Sequence, residues 1–209
     1  VFLGSAERHS FRDIDGDSLK LTTAKILTKR HGDRLKLPKK RFSIIMADPP
    51  WTYRDKARAG KRGAGFKYPL MNLYEITSLP VKKISRKNCI LFLWATPPLM
   101  KESLFVLRMW GFDYKTFAFV WIKKTKQGTD KIGMGNYTRA NAEVVLLGIK
   151  GKLSRKNAGI RQIINSIPRE HSRKPDEIYK LVEKLFGNVS RIELFARHKR
   201  KGWTSWGKQ

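Results

Sequence analysis

Four residues in succession, Asp48, Pro49, Pro50 and Trp51, stand directly behind the short apolar run FSIIMA, Phe42–Ala47. The two prolines fix φ and remove two backbone donors, leaving carbonyl oxygens free to accept hydrogen bonds from another molecule. A nitrogen carrying two N–H bonds fits such a place. The Asp48 carboxylate takes one bond, the Pro49 carbonyl takes the other, and the Trp51 ring offers a flat face for stacking. The exocyclic amino group of adenine or of cytosine has this shape. Taken as residues alone, the same stretch equally describes a strand that ends in a β-turn with Trp51 in the core.

The elements that must position these residues follow from the apolar pattern. FSIIMA (Phe42–Ala47), CILFLWA (Cys89–Ala95), FAFVWI (Phe117–Ile122), EVVLLGI (Glu143–Ile149) and RIELFA (Arg191–Ala196) are short, continuous runs rich in β-branched and aromatic residues. Such runs predict strands covered on both faces. Helical spacing occupies Pro98–Trp110 and stops at Gly111. A second helix is predicted in KPDEIYKLVEKLFG, with Pro175 as its first helical residue, Asp176 and Glu177 complementing the dipole, an apolar stripe of Ile178, Leu181, Val182 and Leu185, and Gly187 at its end. Strands alternating with helices predict an α/β fold around a largely parallel sheet. In such sheets ligands bind beyond the carboxyl ends of the strands, where Asp48 emerges.

Charge points to the partner. Lys and Arg number 45 against 17 Asp and Glu, a formal charge of +28, and a polyanion, nucleic acid first, is the expected partner. No apolar run approaches the roughly 20 residues of a membrane span, and the start, at Val1, shows no signal-peptide pattern. Cys89 is the only cysteine, which excludes an internal disulfide and a cysteine-cluster metal site and leans towards a reducing compartment. Basic clusters fill the remaining sequence, among them Lys29–Arg41, Arg54–Lys67 and Lys150–Arg161, and each taken singly also describes a solvated surface. The glycines at 60, 63 and 65, and at 128, 133 and 135, suit segments that order around a ligand.

ADPPW resembles the catalytic motif of the N6-adenine methyltransferases, the family shared by the eukaryotic messenger-RNA adenine methyltransferase and compact bacterial and phage DNA adenine methyltransferases. The similarity continues in order through YPLM (Tyr68–Met71), LFLWAT (Leu91–Thr96), WGF (Trp110–Phe112), VWIKKT (Val120–Thr125), TRANAEVVLLGIKG (Thr138–Gly151), REHSRKPDEIY (Arg169–Tyr179), IELFAR (Ile192–Arg197) and GWTSWGKQ (Gly202–Gln209). The resemblance implies a Rossmann-like fold in which the catalytic motif precedes the cofactor-binding motif. It divides the chain into a basic segment, 1–41, packed on or flanking the core, and a methyltransferase domain, 42–209. It implies transfer of a methyl group from S-adenosylmethionine to N6 of adenine, with no metal.

The resemblance also distributes roles. Asp48, Pro49, Pro50 and Trp51 are the implied catalytic residues, with Asp48 also touching cofactor. Lys174 would pair with the methionine carboxylate, Glu193 with a ribose hydroxyl, Leu194 and Phe195 with the adenine, and Arg197 and Gln209 with the ribose. Tyr68 would close the target pocket behind a lid carrying Lys56, Arg58, Lys61 and Arg62, while Asn141 and Glu143 match a further polar position. Two departures stand out: the family has His and Asn shortly after the Arg, where this chain has His198–Lys201 (HKRK), and Lys208 replaces the usual Asn. DNA is the expected substrate, since the chain carries no long appended helices or zinc motif. RNA, or a silent nucleic-acid-binding subunit, are the alternatives; a homo- or hetero-oligomer is compatible with either. The expected location is the cytoplasm of a bacterial or phage-infected cell, or the nucleus if the source is eukaryotic.

Overall fold

The computed structural model describes residues 36–52, 70–133, 135, 137–169 and 173–207. The strands are β1 (Phe42–Ala47), β2 (Ser85–Ala95), β3 (Asp113–Lys123), β4 (Ala142–Lys150), β5 (Ile163–Ser166), β6 (Arg191–Leu194) and β7 (Thr204–Trp206). They form one sheet in the order β5-β3-β4-β2-β1-β6-β7. Only β4 runs against the others, so six of the seven strands point the same way and the sheet is largely parallel, as expected. Alternation along the strands sends Ile44, Met46, Ile90, Phe92 and Trp94 to one face. There they pack with Ile178, Tyr179, Val182 and Phe186 of helix α4 (Glu177–Phe186).

The opposite face is covered by α3 (Met100–Met109), which a single turn of 3₁₀ helix, Pro97–Leu99, joins to β2. Gly148 allows this approach: a Cβ there would lie 3.0 Å from Phe112 Cβ and 3.1 Å from Leu107 Cδ1. Two short helices, α1 (Leu73–Thr77) and α2 (Val81–Ile84), precede β2. Propensity alone would not sustain five residues of helix. A capping box holds α1 instead, Asn72 accepting from the Glu75 N–H while the Glu75 carboxylate accepts from Asn72. Trp110 Nε1 then donates to Ile76 O at 3.0 Å, fixing α1 against the end of α3.

Helix α4 corrects the expected boundary. It starts at Glu177 rather than Pro175, and its fully buried positions are Ile178, Tyr179, Val182 and Phe186, with Leu181 and Leu185 only partly covered. Asp176 makes no side-chain cap bond, because three arginines claim its carboxylate. Gly187 does end the helix, at φ 72°. No described helix is long and apolar enough to cross a membrane.

Candidate active site

Parallel strands bring several chain ends to one edge of the sheet, and Asp48 lies there immediately past β1. Lys174, in the turn before α4, places its Nζ 3.0 Å from Asp48 Oδ2, 3.2 Å from Glu143 Oε2 and 5.2 Å from the centre of the Trp94 ring. On its far side Glu143 Oε1 meets Lys123 Nζ at 2.6 Å. Four charges of alternating sign therefore form a row from the cleft inward: Asp48, Lys174, Glu143, Lys123. Burial raises the Asp48 pKa, and Lys174 only partly opposes it. Burial also works against the Lys174 ammonium, but Asp48 and then Glu143 outweigh it and lift its pKa. For Glu143 the balance falls the other way: burial opposes ionisation, yet Lys174 and Lys123 bring its pKa below the ordinary value. Removing any one member would leave a buried neighbour uncompensated.

The prolines build a fixed turn beside this row. The Trp51 N–H donates to Pro49 O at 2.9 Å, a three-residue turn centred on Pro50. Met71 N–H donates to Pro50 O at 2.8 Å and Thr52 N–H to Met71 O at 3.2 Å. The Pro50 carbonyl is thus engaged by Met71, while the Pro49 carbonyl keeps a second lone pair for another donor. Trp51 departs from the expected open stacking face. It is only 7% exposed, because its bridge to Met71 draws it inward, and it does not line the cleft.

Beyond Asp48 a cleft of about 650 Å³, open to solvent, runs along the strand ends. Asp48 and Lys174 line one part, and Glu193, Phe195 and Arg197 another. Glu193 Oε1 accepts from the Tyr179 hydroxyl at 2.6 Å, and burial raises the pKa of both groups. Phe195 sits at φ 62°, in the left-handed region that few non-glycine residues occupy, with its ring against Trp206 at 5.6 Å. That conformation turns the chain at the end of β6 and brings Phe195 to the cleft wall, whereas Leu194 before it is wholly in the core.

Side-by-side ammonium and carboxylate groups suit the amino-acid end of S-adenosylmethionine. A carboxylate further along suits its hydroxyls, and the ring of Phe195 suits a flat base. The residues present therefore fit that cofactor. No described group of His, Cys, Asp and Glu is arranged to hold a metal ion.

The remaining expected residues divide. Glu143 sits behind Lys174 rather than on the cleft wall, and the Asn141 carbonyl accepts from Lys123 N–H at 2.9 Å, holding the β3–β4 junction. Tyr68, Lys56, Arg58, Lys61, Arg62 and Gln209 lie outside the described residues. Sequence reasoning missed the cleft's arginine cluster. Asp176 takes Arg169 at 2.6 Å, Arg173 at 3.3 Å and Arg200, whose guanidinium also lies 3.7 Å from the Tyr179 ring centre. Burial opposes ionisation of Asp176, but hydrogen bonds from Arg200 and Arg169 bring its pKa down to about 2. His198 lines the cleft as well. The departure HKRK thus supplies cleft residues of its own, and the readable signal was a basic run directly after a buried strand.

Comparison with known proteins agrees with this geometry. Residues 42–209 match the family model MT-A70. The type II methyltransferase M.MunI of a Mycoplasma species is 37% identical over 82% of this chain and 78% of its own length. A probable N(6)-adenosine-methyltransferase MT-A70-like protein of Oryza sativa subsp. japonica is 32% identical over 80% of this chain. The N(6)-adenosine-methyltransferase catalytic subunit METTL3 of Homo sapiens is 29% identical over 81% of it. The chain spans only 23% and 28% of the length of those last two proteins. With the family model matched from residue 42 to residue 209 and a relative 37% identical over most of both chains, the chain belongs to the MT-A70 family of methyltransferases.

Proposed function

We propose that this methyltransferase acts on N6 of adenine in DNA. The observation that carries the reading is the Asp48 carboxylate, held by Lys174 on the cleft wall and followed directly by Pro49, whose carbonyl has a lone pair to spare. One N6–H donates to Asp48 and the other to Pro49 O. Together they localise a lone pair otherwise spread into the purine ring and aim it along the cleft. S-adenosylmethionine, the methyl donor of the family, supplies an electrophilic methyl group when bound. Lys174 would hold its carboxylate, Glu193 its ribose, Phe195 its base, and Arg197 with Gln209 its remaining polar groups.

Nitrogen releases a proton only once it gains the methyl group, so Asp48 need not be a strong base beforehand. Its raised pKa nonetheless makes it a more receptive acceptor than an ordinary carboxylate, and the proton passes from it to solvent. Lys174 keeps the carboxylate oriented, and Glu143 with Lys123 keeps Lys174 in place. Tyr68 closes the target pocket, and Lys56, Arg58, Lys61 and Arg62 clamp the backbone phosphates beside the adenine.

Similarity over most of the length of a type II methyltransferase supports DNA as the substrate, and the charge of +28 supports a polyanion. The alternative is RNA, favoured by the N(6)-adenosine-methyltransferases that match over a similar share of this chain. Labelled-methyl transfer to matched DNA and RNA oligonucleotides, single and double stranded, followed by nucleoside analysis, decides the matter. The expected product is N6-methyladenine in DNA. Transfer to RNA alone selects the alternative, and label on cytosine N4, or on no nucleic acid, refutes the proposal.

A further inference from the structure

The ion pairs seen among the described residues all lie at the carboxyl edge of the sheet, around Asp48, Glu143, Asp130 and Asp176. The other edge is built differently. Arg41 precedes β1, Arg86 and Lys87 open β2, Lys83 ends α2, and Lys152 and Lys156 follow β4; all six are exposed and form no ion pair with a described residue. Backbone contacts assemble them into one strip. Arg86 Nε donates to Arg41 O at 3.4 Å, Lys152 N–H to Asn88 Oδ1 at 3.0 Å, and Lys156 N–H to Leu185 O at 2.7 Å at the end of α4. From β4 through β2 and β1 to β6 is three strand spacings, roughly 14 Å. Glu183, on the last turns of α4, is engaged by Trp203 Nε1 at 2.7 Å.

Two ordinary explanations cover only part of this. Compensation of a helix dipole accounts for Lys83, in the last turn of α2, and for Lys156, at the C-terminal end of α4. It does not reach Arg41, Arg86, Lys87 or Lys152, which are on strand and connecting segments. Exposed cations without an ion pair, Lys101, Lys126 and Lys199 among them, occur at the carboxyl edge too, but there they are interspersed with the paired acids Asp48, Asp130, Glu143 and Asp176, whereas the six at this edge follow one another across neighbouring strands. The six residues of β1 separate the two edges by about 20 Å.

We infer that this amino edge is a second phosphate-binding surface. It holds the backbone of a nucleic-acid segment other than the one whose adenine occupies the cleft. The inference rests on the nucleic-acid reading above but not on turnover. Its contacts carry no base information, since guanidinium and ammonium groups on an open strip meet phosphates rather than base edges.

The test uses the full chain and a fluorescent duplex built only of G·C pairs, which offers no adenine to the cleft. Binding is titrated at several salt concentrations for the wild type and for Lys83→Ala, Arg86→Ala, Lys87→Ala and Lys152→Ala combined. The expected result is a loss of affinity of about tenfold or more, with the log–log salt slope reduced by about 0.9 for each phosphate no longer neutralised, up to about 3.6. Methyl transfer to a short adenine-containing oligonucleotide should keep its kcat and cofactor KM, and Lys→Arg at the three lysines, 83, 87 and 152, with Arg86 kept, should preserve binding. Equal affinities and parallel slopes overturn the inference. So does a variant that loses only its binding to vesicles of anionic lipid while the duplex titration stands unchanged. A wild type that binds the duplex at this edge yet methylates nothing would sink the proposed reaction and leave this surface in place.

Discussion

Glu143→Gln removes one charge from the buried row while keeping the side chain's size. Asp48 Oδ2 and Glu143 Oε2 lie 3.0 and 3.2 Å from the same Lys174 nitrogen, so they are at most about 6 Å apart. At that distance two like charges repel by roughly 2.7 kcal/mol at an effective dielectric constant of about 20. This corresponds to about two pKa units at about 1.36 kcal/mol each. Lys123, at 2.6 Å from Glu143, already offsets part of that charge as felt at Asp48, which leaves a shift of about one unit. The direction is downward. Asp48 loses a repelling neighbour and keeps Lys174, so its carboxylate stays ionised to lower pH. Arg197 also faces Asp48 and is unchanged. The assay is kcat for methyl transfer against pH, at saturating cofactor and oligonucleotide. Its acid limb should move to lower pH by about one unit, with the plateau within about twofold of the wild type. An acid limb that stays put while the oligonucleotide KM rises tenfold would refute the reasoning and make Glu143 a substrate contact.

Asp48→Ala should abolish turnover while calorimetry still detects S-adenosylmethionine binding; retention of most of the activity would remove it from the mechanism. Lys174→Ala should raise the cofactor KM by an amount equivalent to about 1–3 kcal/mol, and move the acid limb of kcat upward, because Asp48 loses its main opposite charge and still feels Glu143. An unchanged KM would mean that Lys174 serves only the row. Asp176→Asn tests linkage. The Asp176 pKa is lowered to about 2, so its contribution to stability is present above its unfolded value near 3.8 and is lost as pH falls through about 2. Because the group is partly exposed, that contribution should be under about 1 kcal/mol at pH 6 and vanish at pH 2, read as a difference in Tm between wild type and variant.

Legibility from the sequence followed chain locality. Strands β1 to β4 and β6, and helices α3 and α4, each carry an uninterrupted apolar run or stripe, so the pattern itself named them. Strands β5 and β7 do not. IINS has one buried residue and TSW has none, and both pair only with strands already in the sheet. Helix α1 left a readable sign, the Asn72 and Glu75 spacing of a capping box, in a segment too short to show periodicity. At the site, Asp48 was legible because its turn chemistry is local. The grip of Lys174 on Asp48 was not, since 126 residues separate them, and the resemblance gave Lys174 a cofactor role without showing its partners in the protein. Asp176 was misread for the same reason. Acidity at a helix start has a local explanation, and only the fold brings Arg200 and Arg169 to it.

The bridge between Trp51 and Met71 has an evolutionary reading. It joins the chain before residue 53 to the chain after residue 69 at one hydrogen-bonded point, so the catalytic turn is closed off before that stretch begins. Closing an excursion from fixed ends depends only weakly on its length, about 0.6 kcal/mol for each doubling. The stretch can therefore be lengthened, shortened or exchanged for a foreign one while Asp48 and Pro49 keep their geometry. Change between residues 53 and 69 is thereby uncoupled from the catalytic turn: a chimera carrying a relative's segment there should keep its affinity for S-adenosylmethionine.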